Sequence, residues 1–423
     1  MTCFAAEPHF IEEMATPASG SVALEAQPPA IKIDKKDGCI MSEQIRSWLS
    51  SQRDAMLGLM EKVVNIDSGS YDKAGVDAVG EVFEGFFKSH SVEVERLPRD
   101  VAGDIFRARI PGPGNAPIVL MGHRDTVFSK GEAARRPFTI RDGRAYGPGV
   151  ADMKAGLVLN AFVLTAFKKF GGNPAPLVAL LTSDEEIGSP QSRGIIEETA
   201  RGARAVYNSE PGRANGNVVS QRKGGVFMVM DIVGKAAHSG ANFEAGRSAI
   251  NALAHKTLAI AALTDLKIGV TLNVGLVSGG QSVNTVAPSA SGQIDMRYAR
   301  HGDRGRILRA IETIVATEHV SGTSATLQIK GEFLPLEQTA GNAGLLAIYQ
   351  KAAREAGLTL EGESTGGCAD SGFTSAVGTP TLCATGPVGG LAHSPEEYLE
   401  VESIVPRALA LANAVADTAP LKA

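Results

Sequence analysis

Two histidines and three carboxylates, His123, Asp152, Glu186, Glu210 and His393, stand just beyond apolar runs or turns of this chain. Imidazole nitrogen and carboxylate oxygen are good ligands for zinc and similar divalent ions. Such a set suffices for two ions that share a bridging ligand and hold a water between them, the arrangement of a two-metal hydrolase. Residues 116–121 precede His123, 176–181 precede Glu185-Glu186, 203–207 precede Glu210, and 380–384 lead through glycines to His393. Each of these runs reads as a buried strand. Asp152 follows a Gly147-Pro148-Gly149 turn and precedes a helix. In an open α/β sheet, ligands gather outside the carboxyl ends of the strands.

The spacing distributes roles. His123 and Asp125 are two apart, so on an extended segment both side chains point the same way. One can ligate while the other receives its second ring proton. Glu185 and Glu186 are adjacent and cannot do one job from one direction, which suits one ligand and one general base. Taken singly, each residue has an ordinary reading. A lone histidine is usually just polar, as His9, His90, His255, His301 and His319 are read, and an Asp before a helix is often a cap. Glu pairs such as Glu197-Glu198 and Glu396-Glu397 read as solvated surface. Five coincidences at strand ends outweigh those readings, with Glu210 the weakest alone.

The elements that must position these residues follow from periodicity. Residues 42–65 place Ile45, Trp48, Leu49, Met56, Leu59, Met60, Val63 and Val64 at helical spacing. Residues 74–90 repeat that signal, 92–95 alternate as a strand, and 153–170 read as a long buried helix. Strands and helices in alternation, with continuously apolar strands, predict a largely parallel sheet covered on both faces. After Lys223 the pattern changes to strand 226–233, helix 244–263, strands 270–274 and 293–298, helix 304–319 and strand 325–329. That β-α-β-β-α-β order is ferredoxin-like. Helices over 341–356 and 403–416 complete the first unit.

The expected fold class is therefore α/β, a mixed and largely parallel sheet with helices on both faces, plus an inserted ferredoxin-like α+β domain. The expected division is an extension at 1–41, a discontinuous domain of 42–222 and 334–423, and the insertion at 223–333. A length of 423 residues suits two domains. With 43% hydrophobic and 21% charged residues the composition is that of an ordinary globular protein. A net charge of -5 gives no electrostatic footprint for nucleic acid. No uninterrupted apolar run approaches the roughly 18–20 residues of a membrane span. Cys3, Cys39, Cys368 and Cys383 form no CxxC pair, which favours a reducing compartment. The first 39 residues lack the basic start and apolar centre of a secretory signal. A cytoplasmic location is expected, with Met41 the natural start of the folded part.

Gly122-His123-Arg124-Asp125-Thr126-Val127, Gly147-Pro148-Gly149-Val150-Ala151-Asp152-Met153-Lys154 and Asp184-Glu185-Glu186-Ile187-Gly188 resemble the motifs of the di-zinc aminoacylase and carboxypeptidase family. Within it the chain is most similar to the glutamate carboxypeptidase (carboxypeptidase G type) branch, over about residues 42–416. The resemblance implies two zinc ions, replaceable by cobalt or manganese. It implies Asp152 as the bridge, His123 and Glu210 completing one site, and Glu186 and His393 the other. Glu185 matches the general base and Asp125 the partner of the histidine ligand. Glu rather than Asp at 210 points to the carboxypeptidase side.

Arg297 alternates with Ile294, Met296 and Tyr298, and reads either as a surface pair with Asp295 or as a fork for a substrate carboxylate. The resemblance favours the fork, with Asn284 beside it, Gly366 and Gly367 lining the pocket and Ser220 a further contact. It also implies that the inserted domain is a lid and dimerisation module, and that His238 reaches across a homodimer to polarise the scissile carbonyl. Lys330-Gly331-Glu332-Phe333 departs from the pattern, since Glu332 would repel a second carboxylate. The implied activity is hydrolysis of an amide or peptide bond releasing a C-terminal amino acid, glutamate foremost. Its substrate is a small N-acyl amino acid or peptide, with no nucleic acid or membrane involved. An N-acyl amino acid deacylase, a dipeptidase or a hydrolase of conjugated or xenobiotic amides would use the same residues. A non-catalytic metal- or peptide-binding protein would require a lost ligand or base, and none is lost.

Overall fold

A computed structural model describes residues 42–419; the readings made for 1–41 lie outside the described residues. The helical stretch that opens it is two helices, Glu43–Ser50 and Arg53–Val64. Ser42 caps the first by accepting from the Ile45 N–H. The Ser51 hydroxyl donates to the Trp48 carbonyl, and this local bond competes with continued helix at the break.

The main sheet has eight strands, in spatial order Glu93–Leu97, Ile105–Ile110, Leu177–Thr182, Ile118–His123, Ala205–Asn208, Thr381–Cys383, Val218–Arg222 and Gly362–Thr365. The four central strands, from Leu177–Thr182 to Thr381–Cys383, run parallel, and antiparallel pairings occur only on either side of them. Their carboxyl ends therefore open on the same edge. Side chains alternate between two cores. Ile118, Leu120, Leu177 and Ala179 face the helices Ala155–Phe170 and Ile404–Asp417. Val119, Met121, Val178 and Leu180 face Ile196, Ala200 and Phe373 on the other side. Both faces are covered, as continuously apolar strands require.

Among the described residues, one stretch, 150–170, is long and apolar enough to cross a bilayer. It is almost wholly buried as the central helix of this core, which accounts for its composition.

Residues 224–333 form a four-stranded antiparallel sheet, in spatial order Thr271–Gly279, Ser289–Tyr298, Gly224–Val233 and Ser324–Phe333. Helices Ala249–Ala261 and His301–Ala316 complete a ferredoxin-like topology. They bury one face, with Val226, Met228, Met230, Ile294 and Met296 in the core. The other face carries Phe227, Gln293, Asp295 and Arg297. The first helix starts later than its apolar spacing suggests, because Ser248 caps it through the Asn251 N–H.

A third, small sheet was not legible in the sequence: Gly389–Gly390, Tyr398–Glu400, Arg144–Tyr146 and Thr139–Arg141. Its antiparallel pairing sets Tyr398 against Tyr146 and Leu399 against Ala145. The segment before Asp152 and the segment after His393 are thereby joined side by side.

Candidate metal centre

Five segments of the chain converge on one point. His123 is the last residue of its strand, Glu185 and Glu186 follow the Leu177–Thr182 strand in a short turn, and Glu210 lies two residues past Ala205–Asn208. Asp152 arrives from the turn before helix Ala155–Phe170, where Gly149 takes a left-handed φ of 72° that suits glycine. His393 arrives on the loop between the two hairpin strands of the small sheet, nine residues beyond Ala384 rather than directly from a main-sheet strand.

Asp152 divides its two oxygens between the histidines. Oδ1 lies 3.1 Å from His123 Nε2 and Oδ2 lies 3.5 Å from His393 Nε2. His123 Nε2 is 3.8 Å from Glu210 Oε1, and His393 Nε2 is 3.1 Å from Glu186 Oε2. Zinc–ligand bonds of 2.0–2.2 Å place tetrahedral partners about 3.4 Å apart. The donor spacings match that value, and one donor atom each from His123, Asp152 and Glu186 lies within 4.8 Å of the others. The residues present fit a bound divalent metal ion.

The electrostatics point the same way. Burial opposes charge on His123, yet Asp125, Asp152 and the nearby Glu185 and Glu210 raise its pKa well above the usual imidazole range. Hydrogen bonds with Asp152 and Glu186 push His393 up to about 10. Burial, reinforced by Asp152, pushes Glu210 up to about 8. Negative charge thus converges on one point, where a bound cation would be stabilised.

Asp125 organises the centre from behind. His123 Nδ1 lies 3.4 Å from its Oδ1 and 3.0 Å from its carbonyl oxygen. Its carboxylate also accepts the Glu185 and Glu186 N–H groups, both at 3.1 Å, and the Ser70 hydroxyl at 2.7 Å. Glu185 is buried, with Oε2 4.0 Å from His123 Nε2. Burial raises its carboxyl well above the usual range; Glu210, Asp370 and Glu186 add to this and His123 opposes it. A cavity of about 500 Å³ opens against Glu186 and Ile187, walled by residues 69–72 and 126–130.

The structure does not bring every candidate to this point. Arg297 pairs bidentately with Asp295, Nε to Oδ1 at 2.7 Å and Nη2 to Oδ2 at 3.1 Å. Its Nη1 reaches Cys368 Sγ at 2.8 Å, in the glycine-rich loop. Gly367 in that loop gives its carbonyl to Arg222, and Ser220 is buried beside Gly362. His238 and Asn284 are exposed and lie on adjoining loops, joined by the Ser239 N–H bond to the Asn284 carbonyl. His238 Nδ1 accepts from the Gly240 and Ala241 N–H groups, which leaves Nε2 to carry the proton.

Two sequence readings need correction. Glu332 is not an uncompensated charge: Arg304 binds both of its carboxylate oxygens and Arg193 Nη1 lies 3.3 Å away. Glu397 is not solvated surface: it is fully buried and accepts the N–H groups of Gly149 at 3.0 Å, Ala151 at 2.8 Å and Asp152 at 2.9 Å. Burial lifts its carboxyl to about 7. Asp370 was also passed over. It is buried, takes the Ser189 and Thr182 hydroxyls, and is likewise raised to about 7 by burial.

Comparison with known proteins agrees with this geometry. A model of "Peptidase family M20/M25/M40" matches residues 119–417. Carboxypeptidase G2 from Pseudomonas sp. (strain RS-16) is 30% identical over 369 residues, covering 86% of this chain and 89% of that protein. Acetylornithine deacetylase from Proteus mirabilis (strain HI4320) is 26% identical, covering 75% and 83%. Among solved structures, a tripeptidase from Staphylococcus aureus superposes with a TM-score of 0.72 at 21% identity, over 86% of this chain and 98% of that one. An M20 family metallo-carboxypeptidase from Sulfolobus solfataricus gives 0.70 at 16% identity, over 86% and 99%. The family match spans all five convergent donors and Glu185, so the chain belongs to peptidase family M20/M25/M40 and is a metallohydrolase.

Proposed function

We propose that this enzyme uses two zinc ions to hydrolyse an amide to the nitrogen of an amino acid, releasing that amino acid with a free α-carboxylate, glutamate foremost. One observation carries the reading: Asp152 offers one oxygen to each histidine, with the separate carboxylate Glu185 beside them. His123 and Glu210 would hold one ion and Glu186 and His393 the other. When bound, the ions supply Lewis acidity and bring a water towards ionisation near neutral pH. Glu185 takes the proton of the attacking water and later gives it to the leaving amine nitrogen. Asp125 keeps the His123 ring oriented through Nδ1. The acyl half of the substrate lies in the cavity beside Glu186 and Ile187.

Arg297 receives the α-carboxylate. Asp295 holds the Nε and Nη2 side of the guanidinium, while among the described residues Nη1 donates to a thiol, a weak acceptor that a carboxylate outcompetes. Asn284, Ser220 and the loop at Gly366 and Gly367 complete the amino-acid pocket. The Glu332 charge is compensated by Arg304 and Arg193, which removes one source of repulsion for a second carboxylate. Arg297→Ala should raise KM about 10-fold or more for N-acyl glutamates while leaving the matching α-carboxamides little changed. Equal losses on both series would remove Arg297 as the clamp.

His238 serves the active site of a second copy. The edge strand Thr271–Gly279 supports this, since one of its sides is unpaired and Leu276 and Val277 are exposed on it. His238→Ala and Glu185→Gln should each be nearly inactive alone. Co-refolded in equal amounts, they should regain about a quarter of wild-type activity, because half the dimers carry one intact site. No regain would place His238 in its own subunit's site or outside catalysis.

A further inference from the structure

We infer that Glu397 is a positioning residue of the metal centre: its buried carboxylate ties the backbone presenting Asp152 to the loop presenting His393, and so secures the ion held by Asp152, Glu186 and His393. The inference rests on the two-ion reading above and adds a determinant to it.

A carboxylate buried without a cation is costly unless its oxygens are satisfied. Glu397 is completely buried, and among the described residues no ion pair reaches it. Lys154, equally buried two residues beyond Asp152, gives its Nζ to the Ile66 carbonyl and acts on Glu397 through its charge without a direct bond. Among the described residues the Glu397 carboxylate is hydrogen-bonded by main-chain donors: Oε2 takes the Gly149 N–H, and Oε1 takes those of Ala151 and Asp152. These three donors belong to the turn that aims the bridging side chain.

The other end of the tie is the His393 loop. It spans the hairpin strands Gly389–Gly390 and Tyr398–Glu400, and Glu397 is its last residue. Leu391 and His393 both take left-handed backbone conformations, with φ of 55° and 64°, which non-glycine residues hold only when their surroundings impose it. Packing on the His393 side chain supplies little of that, since it is 54% exposed against 2% for His123. Beyond the His393 contacts with Glu186 and Asp152 and the bonds within the loop itself, the loop is tied down by the Arg136 bond to the Pro395 carbonyl at 2.8 Å and the three bonds of Glu397. His123, by contrast, sits on a central strand paired on both sides. Loss of Glu397 should therefore loosen the His393 position far more than the His123 position.

The test is zinc titration by equilibrium dialysis against buffered free zinc, with thermal melting of the metal-free proteins as a check on folding. The series is wild type, Glu397→Gln and Glu397→Asp, each as the full chain. Gln keeps the shape but turns an NH2 group towards at least one of the three N–H donors; Asp keeps the charge but shortens the reach. Wild type should bind two ions. Glu397→Gln should bind the first ion as wild type does and the second about 10–100-fold more weakly, the usual cost of losing a group that orients a ligand. Glu397→Asp should fall between them. Two ions bound at wild-type affinity by Glu397→Gln would overturn the inference, as would equal weakening of both. If Glu397→Gln does not fold, Glu397→Asp decides by the same criterion. One ion in the wild type would overturn the two-ion reading instead.

Discussion

Glu185→Gln will retain the wild-type metal content and lose turnover by about 10²–10⁴-fold, the range a positioned general base contributes. The separation follows from geometry. Glu186 lies 3.1 Å from His393, one of the proposed ligands, whereas the nearest histidine nitrogen to Glu185 is His123 Nε2 at 4.0 Å. Glu185 is thus close enough to meet a water held at the centre without being one of the five donors. Its backbone N–H, given to Asp125 at 3.1 Å, is unchanged by the substitution, so the turn and the Asp125–His123 contact remain. Elemental analysis beside a steady-state assay reads both halves of the prediction. Metal lost along with turnover would make Glu185 a ligand, and retained turnover would remove it as the base.

Asp152→Ala should have the opposite signature. Its two oxygens serve two different histidines, at 3.1 Å and 3.5 Å, so one substitution strips a ligand from both positions. Affinity should fall by more than about 10²-fold for each ion, beyond the effect of removing an orienting group, and turnover should drop to background. The fold should survive. The N–H at residue 152 still reaches Glu397, and helix Ala155–Phe170 remains locked in the core. Metal titration with circular dichroism tests this. Loss of only one ion would show that Asp152 does not bridge.

Much of this centre could be read from the chain because its strands are buried on both faces. Continuous apolar runs at 118–121, 177–181 and 205–207 announce themselves, and polar residues at their ends stand out. The ferredoxin-like order of 224–333 was legible for a related reason: one face of its sheet alternates strictly against two amphipathic helices. The small sheet was not, because strands of two or three residues carry no periodicity. Yet that sheet is what brings His393 beside Asp152.

Glu397 and Glu332 were misread for the same physical cause. Glu397 reads as solvated and Glu332 as an uncompensated charge until their remote partners are known. The donors to Glu397 lie about 245 residues upstream, and Arg193 and Arg304 belong to separate helices. Arg297 shows the converse. Its pairing with Asp295, two positions away on one strand face, was visible locally, but its reach to Cys368 depends on how the second sheet meets the glycine-rich loop.

The most direct test of the account is a hydrolysis panel run on zinc-replete wild-type protein. N-acyl glutamates, other N-acyl amino acids, dipeptides and the α-carboxamide of each would be compared by release of free amine. Release from substrates with a free α-carboxylate, fastest with glutamate and abolished by chelation, is the predicted result. Zinc-loaded protein that cleaves no member, or cleaves the carboxamides equally well, would contradict it.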